Sequence, residues 1–121
     1  MRVCFRSAVD PGRLQAYREA HAQVWPEMLR ELKRAGWNDY SLHLGADGLL
    51  IGIVECDDLD AARARMALTE VNGRWQAEMA RLFPPSDGAP DEGFIVLEEV
   101  FNLDEQLAAA GHNHNIEGSH K

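Results

Sequence analysis

Residues Arg2–Val9 alternate, with Val3, Phe5, Ser7 and Val9 on one side, and a period of two predicts a strand. The period then changes. Tyr17, His21 and Trp25 recur every four residues, and Leu14, Val24 and Met28 fall on or beside the same stripe, so this stretch reads as the buried face of an amphipathic helix. Asp10-Pro11-Gly12 starts it, with Asp10 as cap and Pro11 in the first turn. Pro26 lacks an amide hydrogen and clashes with the preceding turn, so the helix must kink or restart there, resume through Glu27–Ala35 and stop at Gly36. Asn38–Leu44 and Leu49–Cys56 read as strands joined by the turn residues Gly45-Ala46-Asp47-Gly48. Asp57-Asp58 caps a helix over Leu59–Leu68, Thr69 recaps it, and the helical pattern continues through Trp75 to Leu82. Pro84–Gly93 has loop composition, and Phe94–Leu103 predicts a fourth strand.

The order is βαββαβ, the split βαβ arrangement of ferredoxin-like α+β folds. The strands carry a second message. Leu49, Ile51 and Ile53 share one face of the third strand while Leu50, Gly52 and Val54 share the other, and Phe94–Leu97 is apolar on both sides. Two helices cover only one face of a four-stranded antiparallel sheet, which would leave an apolar face open. The same face of a second copy is the simplest cover, so the pattern predicts a homodimer. The segment after residue 103 reads as a polar tail, Asp104–Lys121, with a short helix around Glu105–Ala110 and with His112, His114 and His120 among Asn, Gly and Ser.

Composition narrows the partners. A chain of 121 residues is one domain, here 1–103 plus the tail. Its net charge of −8 argues against nucleic acid or an anionic membrane surface as partner. No apolar run approaches the roughly 20 residues of a membrane span. Cys4 and Cys56 form neither a disulfide framework nor a ligand cluster, and reduced thiols fit the cytoplasm. The paired tail histidines lack a cysteine or carboxylate at ligand spacing, so no metal site is expected.

The chemistry gathers on the kinked helix. An imidazole between aromatics on a buried face is either a satisfied core group or one that exchanges a proton near neutral pH. The kink opens the helix–sheet interface beside it. Tyr40, Leu42 and Leu44 alternate with Ser41 and His43, and one set faces the helices. If it is the Tyr40 set, Tyr17, His21, Tyr40 and Trp75 meet between sheet and helices. Aromatic faces suit the C–H face of a sugar, and hydroxyls and imidazole suit its rim. No Gly-rich loop or basic cluster offers a phosphate site. The residues thus point to a small neutral ligand and, at most, proton-transfer chemistry.

Tyr17-x-x-x-His21-x-x-x-Trp25-Pro26-Glu27, Asn38-Asp39-Tyr40, Leu49–Glu55, Arg74-Trp75 and Glu98-Glu99-Val100-Phe101 resemble the L-rhamnose mutarotase family across residues 1–103. The resemblance implies a dimeric α+β barrel isomerase that interconverts the α and β anomers of a deoxysugar without a cofactor. It places His21 at the proton-donor position, Tyr17 and Tyr40 at substrate-binding tyrosines, and Trp75 at the first of two substrate-contacting tryptophans. Gln76 stands where the second tryptophan is expected, and His43 where some members have tyrosine. Both differences bear on the sugar, with L-fucose or a related monosaccharide as alternatives to L-rhamnose. Two other classes fit the pattern: a cofactor-independent oxygenase or isomerase of the same barrel group, and a non-catalytic small-ligand-binding module.

Overall fold

The computed structural model describes residues 1–84 and 94–111. Four antiparallel strands, β1 (Arg2–Ala8), β2 (Asn38–Leu44), β3 (Leu49–Glu55) and β4 (Ile95–Leu97), form one sheet in the order β2-β3-β1-β4. Helices α1 (Leu14–Ala22) and α2 (Pro26–Arg34) lie between β1 and β2 in sequence, and α3 (Leu59–Ala67) and α4 (Glu70–Met79) between β3 and β4. A further helix, α5 (Leu103–Ala110), follows β4. The expected βαββαβ order and ferredoxin-like α+β class are thus present, with each helical connection built from two pieces.

Short-range chemistry sets the ends of these elements. The Asp10 carboxylate accepts from the Gly12 amide at 2.9 Å and opens a 3-10 turn into α1. Asp58 and Thr69 cap α3 and α4 through the amides of Ala61 and Asn72. At the end of α2 the Trp37 amide donates to the Leu32 carbonyl and the Gly36 amide to the Lys33 carbonyl. That double bond pair needs the left-handed backbone of Gly36, at φ +102°. At Pro26 the helix restarts rather than kinks. The proline is the first residue of a new one, preceded by an extended Trp25 at φ −52° and ψ 130°.

The sheet face toward the helices carries Val3, Phe5, Leu50 and Val54, which join Met28, Met66, Val71, Trp75 and Met79 in one buried cluster. Phe5 lies opposite Gly52 in the β1–β3 register, and a methyl at Gly52 would overlap the Phe5 ring. Glycine there is a notch that lets the ring lie across the sheet. On the opposite face Ser41, Ile53, Cys4 and Leu97 form one row and His43, Ile51, Arg6 and Ile95 the next. Leu49, Ile95 and Leu97 on this face are exposed.

Strand β2 contains an irregularity beside the site. Asn38 pairs with Glu55, but Ser41 pairs with Ile53, so β2 holds one residue more than β3 between the two pairs. The extra residue is accommodated at Asp39, in the left-handed region at φ +48°. Beyond this bulge Tyr40, Leu42 and Leu44 point toward the helices.

Two expectations need correction. The fourth strand was expected over Phe94–Leu103 but spans only Ile95–Leu97. Continuing it would place Glu98 opposite Val3 on the helix-facing side, where desolvating a carboxylate costs more than the extra ladder bonds return. The C-terminal helix begins at Leu103 rather than Glu105, capped by the Asn102 side chain on the Glu105 amide. Most of the expected loop, residues 85–93, and the tail histidines His112, His114 and His120 lie outside the described residues.

Candidate active site

The i, i+4 spacing on α1 stacks His21 on Tyr17, with ring centroids 4.1 Å apart and planes at 25°. His21 is half-buried, and its Nδ1 lies 3.0 Å from the Tyr17 carbonyl oxygen. A carbonyl can only accept, so Nδ1 carries the hydrogen and Nε2 is left to exchange protons. Trp75 from α4 meets the imidazole edge-on at 5.4 Å. Trp25 does not continue the α1 stripe as the spacing predicted, because the helix ends at Ala22. It reaches the site across the break, packing edge-on against Trp75 at 5.0 Å. Glu27, just beyond, faces outward and pairs with Arg74 at 3.0 Å, bracing α2 against α4.

Between these helices and the sheet lies a cavity of about 300 Å³. Such a volume is at the lower end of the ~300–1,000 Å³ of small-molecule sites. His21, Tyr40, Trp75 and Gln76 all line it, and a smaller pocket of about 60 Å³ beside it is lined by the same four together with Tyr17. All five residues singled out from the sequence therefore converge. Tyr40 arrives on the same strand face as Leu42, with its ring 4.8 Å from that of Trp37. Gln76 donates through Nε2 to the Asn72 side-chain oxygen at 3.2 Å.

Burial governs the electrostatics. Desolvation lowers the His21 pKa below the ordinary imidazole value, partly offset by the hydrogen bond to Tyr17. Desolvation also drives the Tyr17 phenol well above its ordinary range, so this group stays protonated and can donate but not act as a base. No carboxylate stands among the described residues lining either cavity. Arg63 brings a guanidinium to the wall, over the Phe94 ring at 5.2 Å from its centroid. Among the described residues no three His, Cys, Asp or Glu side chains gather as a metal site.

Among the lining residues not foreseen are Trp37, Arg63 and Asn72. Asn72 had a signal in the sequence, since it precedes Trp75 by three and Gln76 by four and so shares their helix face. Trp37 and Arg63 had none, because only the tertiary packing brings them to the wall. His43 is not at the cavity. Its ring contacts the Ser41 hydroxyl at 3.1 Å on the opposite sheet face, so its identity does not shape the wall.

The match to known proteins is consistent over the same residues. Residues 2–103 match the family described as L-rhamnose mutarotase. The L-rhamnose mutarotase of Bacillus subtilis is 39% identical over 98 residues, covering 79% of this chain and 91% of its own length. That of Burkholderia orbicola is 36% identical over 103 residues, covering 84% and 97%. The crystal structure of L-rhamnose mutarotase from Formosa agariphila superposes with a TM-score of 0.68 at 28% identity, over 84% of this chain and 97% of that one. With the family matched over residues 2–103 and relatives this similar over nearly their whole length, the chain belongs to the L-rhamnose mutarotase family.

Proposed function

We propose that the protein is an isomerase that interconverts the α and β anomers of L-rhamnose by acid–base ring opening and closure. The carrying observation is the tethered imidazole. Nδ1 is held on the Tyr17 carbonyl, which leaves Nε2 as the proton-exchanging atom in an aromatic-walled cavity of about 300 Å³. Mutarotation needs a proton removed from the anomeric hydroxyl and another delivered to the ring oxygen. The resemblance puts His21 at the proton-donor position, but its lowered pKa favours the neutral ring, so His21 accepts the first proton, the ring opens to the aldehyde, and the carbonyl turns over its faces. The imidazolium then returns the proton on closure, so one residue is base in one direction and acid in the other. The second proton moves through a tyrosine or a water, since the described lining offers no carboxylate. Trp75 supplies the flat wall for the sugar's C–H face, and Tyr17, Tyr40 and Gln76 supply polar contacts. No cofactor or metal enters this scheme.

The uncovered face of the sheet supports a homodimer, with Ile51 and Ile53 at its centre and exposed Leu49, Ile95 and Leu97 around them. The free thiols of Cys4 and Cys56 support a cytoplasmic setting. Saturation-transfer NMR over L-rhamnose, L-fucose and related monosaccharides tests the activity. Anomeric exchange far above the buffer rate for L-rhamnose is expected. Binding without faster exchange would instead make the protein a ligand-binding module.

A further inference from the structure

On α4 Asn72 and Gln76 stand one turn apart on the cavity-facing side, with Trp75 between them in sequence. Asn72 is the buried polar residue among the described ones, at 7% exposure, yet it lines the cavity. Its side-chain oxygen accepts from Gln76. The amide hydrogens of Asn72 and the side-chain oxygen of Gln76 have no protein partner among the described residues. Exchanging oxygen and nitrogen in both side chains leaves the same inventory, one NH₂ group and one carbonyl oxygen, so the conclusion does not depend on amide orientation. Buried polar groups are almost always hydrogen-bonded, and a donor and acceptor left open on a cavity wall are groups awaiting a ligand.

Their position specifies what they meet. Gln76 lines both cavities and so sits beside His21, whereas Asn72 lines only the larger one. The rise of α4 sets Asn72 about 6 Å along the axis from Gln76, away from the Tyr17–His21 end. In a pyranose the edge opposite the anomeric carbon and ring oxygen is the C3–C4 edge, and each hydroxyl there both donates and accepts. We propose that Asn72, held by Gln76, is a specificity-determining residue that reads the vicinal C3 and C4 hydroxyls of the sugar while His21 works at the opposite edge. This rests on the mutarotase reading above, and it adds a recognition point on α4 remote from the proton transfer. An amide pair of this kind discriminates by leaving its own groups unpaired when the hydroxyl is missing or misdirected, a strong form of selection.

The test follows anomeric exchange against concentration for L-rhamnose and its 3-deoxy and 4-deoxy analogues, in wild type and in Asn72→Leu. Wild type is expected to lose about tenfold or more in kcat/KM on at least one deoxy analogue. Asn72→Leu is expected to raise KM for L-rhamnose by a similar factor, to change kcat by less than about threefold, and to treat the deoxy analogues like the parent sugar. Asn72→Ala, which leaves the wall free of added bulk, repeats the measurement should the leucine variant fail to fold. A variant that melts earlier but keeps the wild-type preference among the three sugars overturns the proposal, since Asn72 would then only brace α4. Wild type without exchange activity on any of them would instead overturn the mutarotase reading on which this rests.

Discussion

At His21, the hydrogen bond to its own helix decides which nitrogen is available, and burial decides which protonation state prevails. Two outcomes follow at this scale. His21→Asn keeps a polar side chain but removes the titratable ring, so anomeric exchange should fall by a factor of roughly 10² to 10⁴ with the fold retained. Near-normal exchange per folded molecule, measured by saturation transfer beside a melting curve, would transfer the role to Tyr40. The pH dependence carries a definite sign. The folded-state pKa lies below the unfolded imidazole value near 6.5, so the neutral base persists at neutral pH. Exchange should therefore be on a plateau above about pH 6.5 and fall along a single titration on the acid side. Stability follows the same direction, because the unfolded chain binds the proton more readily. The contribution is present above the unfolded pKa and is lost as pH falls through the lower folded value. A rate that rises on acidification would contradict the assignment of His21 as the base in ring opening.

Among the elements, the strands and helices were legible in the sequence because their apolar periods differ and their caps are standard chemistry. Asp10, Asp58, Thr69 and Gly36 each end or begin a helix where the residue type says they should. The meeting of Tyr17 and His21 was equally legible from spacing. Other parts were not, for physical reasons. Alternation groups Tyr40 with Leu42 and Leu44 but does not say which set faces the helices, and it does not reveal the bulge beside Tyr40. The spacing of Trp25 suggested one continuous stripe, whereas Pro26 starts a second helix and Trp25 returns through Trp75 instead. The overlong fourth strand came from its apolar run, whose continuation fails at Glu98 on the buried side. Gly52 offers the prediction at this scale. Gly52→Ala should destabilise the protein by about 1–3 kcal/mol in chemical denaturation, because the added methyl displaces Phe5. Phe5 stacks on Phe94 at 4.0 Å, and Phe94 lines the cavity, so sugar affinity should fall as well. A variant as stable as wild type would mean that β1 and β3 yield more readily than their register suggests.

For the whole molecule, the sheet has one face committed to the helices and one face left apolar. Arg6, Ser41 and His43 interrupt that second face, but Ile51 and Ile53 occupy an inner strand and are only partly exposed. A carboxylate introduced at its centre would be buried without a partner in a face-to-face dimer and would be solvated in a monomer. Ile53→Asp should therefore convert a dimer at micromolar concentration into a monomer, as read by light scattering, while circular dichroism stays that of the α+β fold. A dimeric Ile53→Asp protein would move the interface to another surface. The net charge of −8 sets two copies against each other electrostatically, so the wild-type dimer should tighten as salt screens the repulsion.

The additional residue in β2 also makes the junction between α2 and the sheet a matter of parity. Side chains along a strand alternate with a period of two; the hairpin register from Ser41 to Leu44 holds Tyr40 toward the cavity, and the bulge advances the count by one between Tyr40 and Asn38, which pairs with Glu55. A single insertion that kept the bulge would preserve the hairpin and the tyrosine while reversing Asn38 and the entry from α2. Insertion of two residues in the same place would leave Asn38 on its present face. Sequence drift in this strand is therefore filtered by whether a length change is odd or even, before any question of which amino acid is substituted.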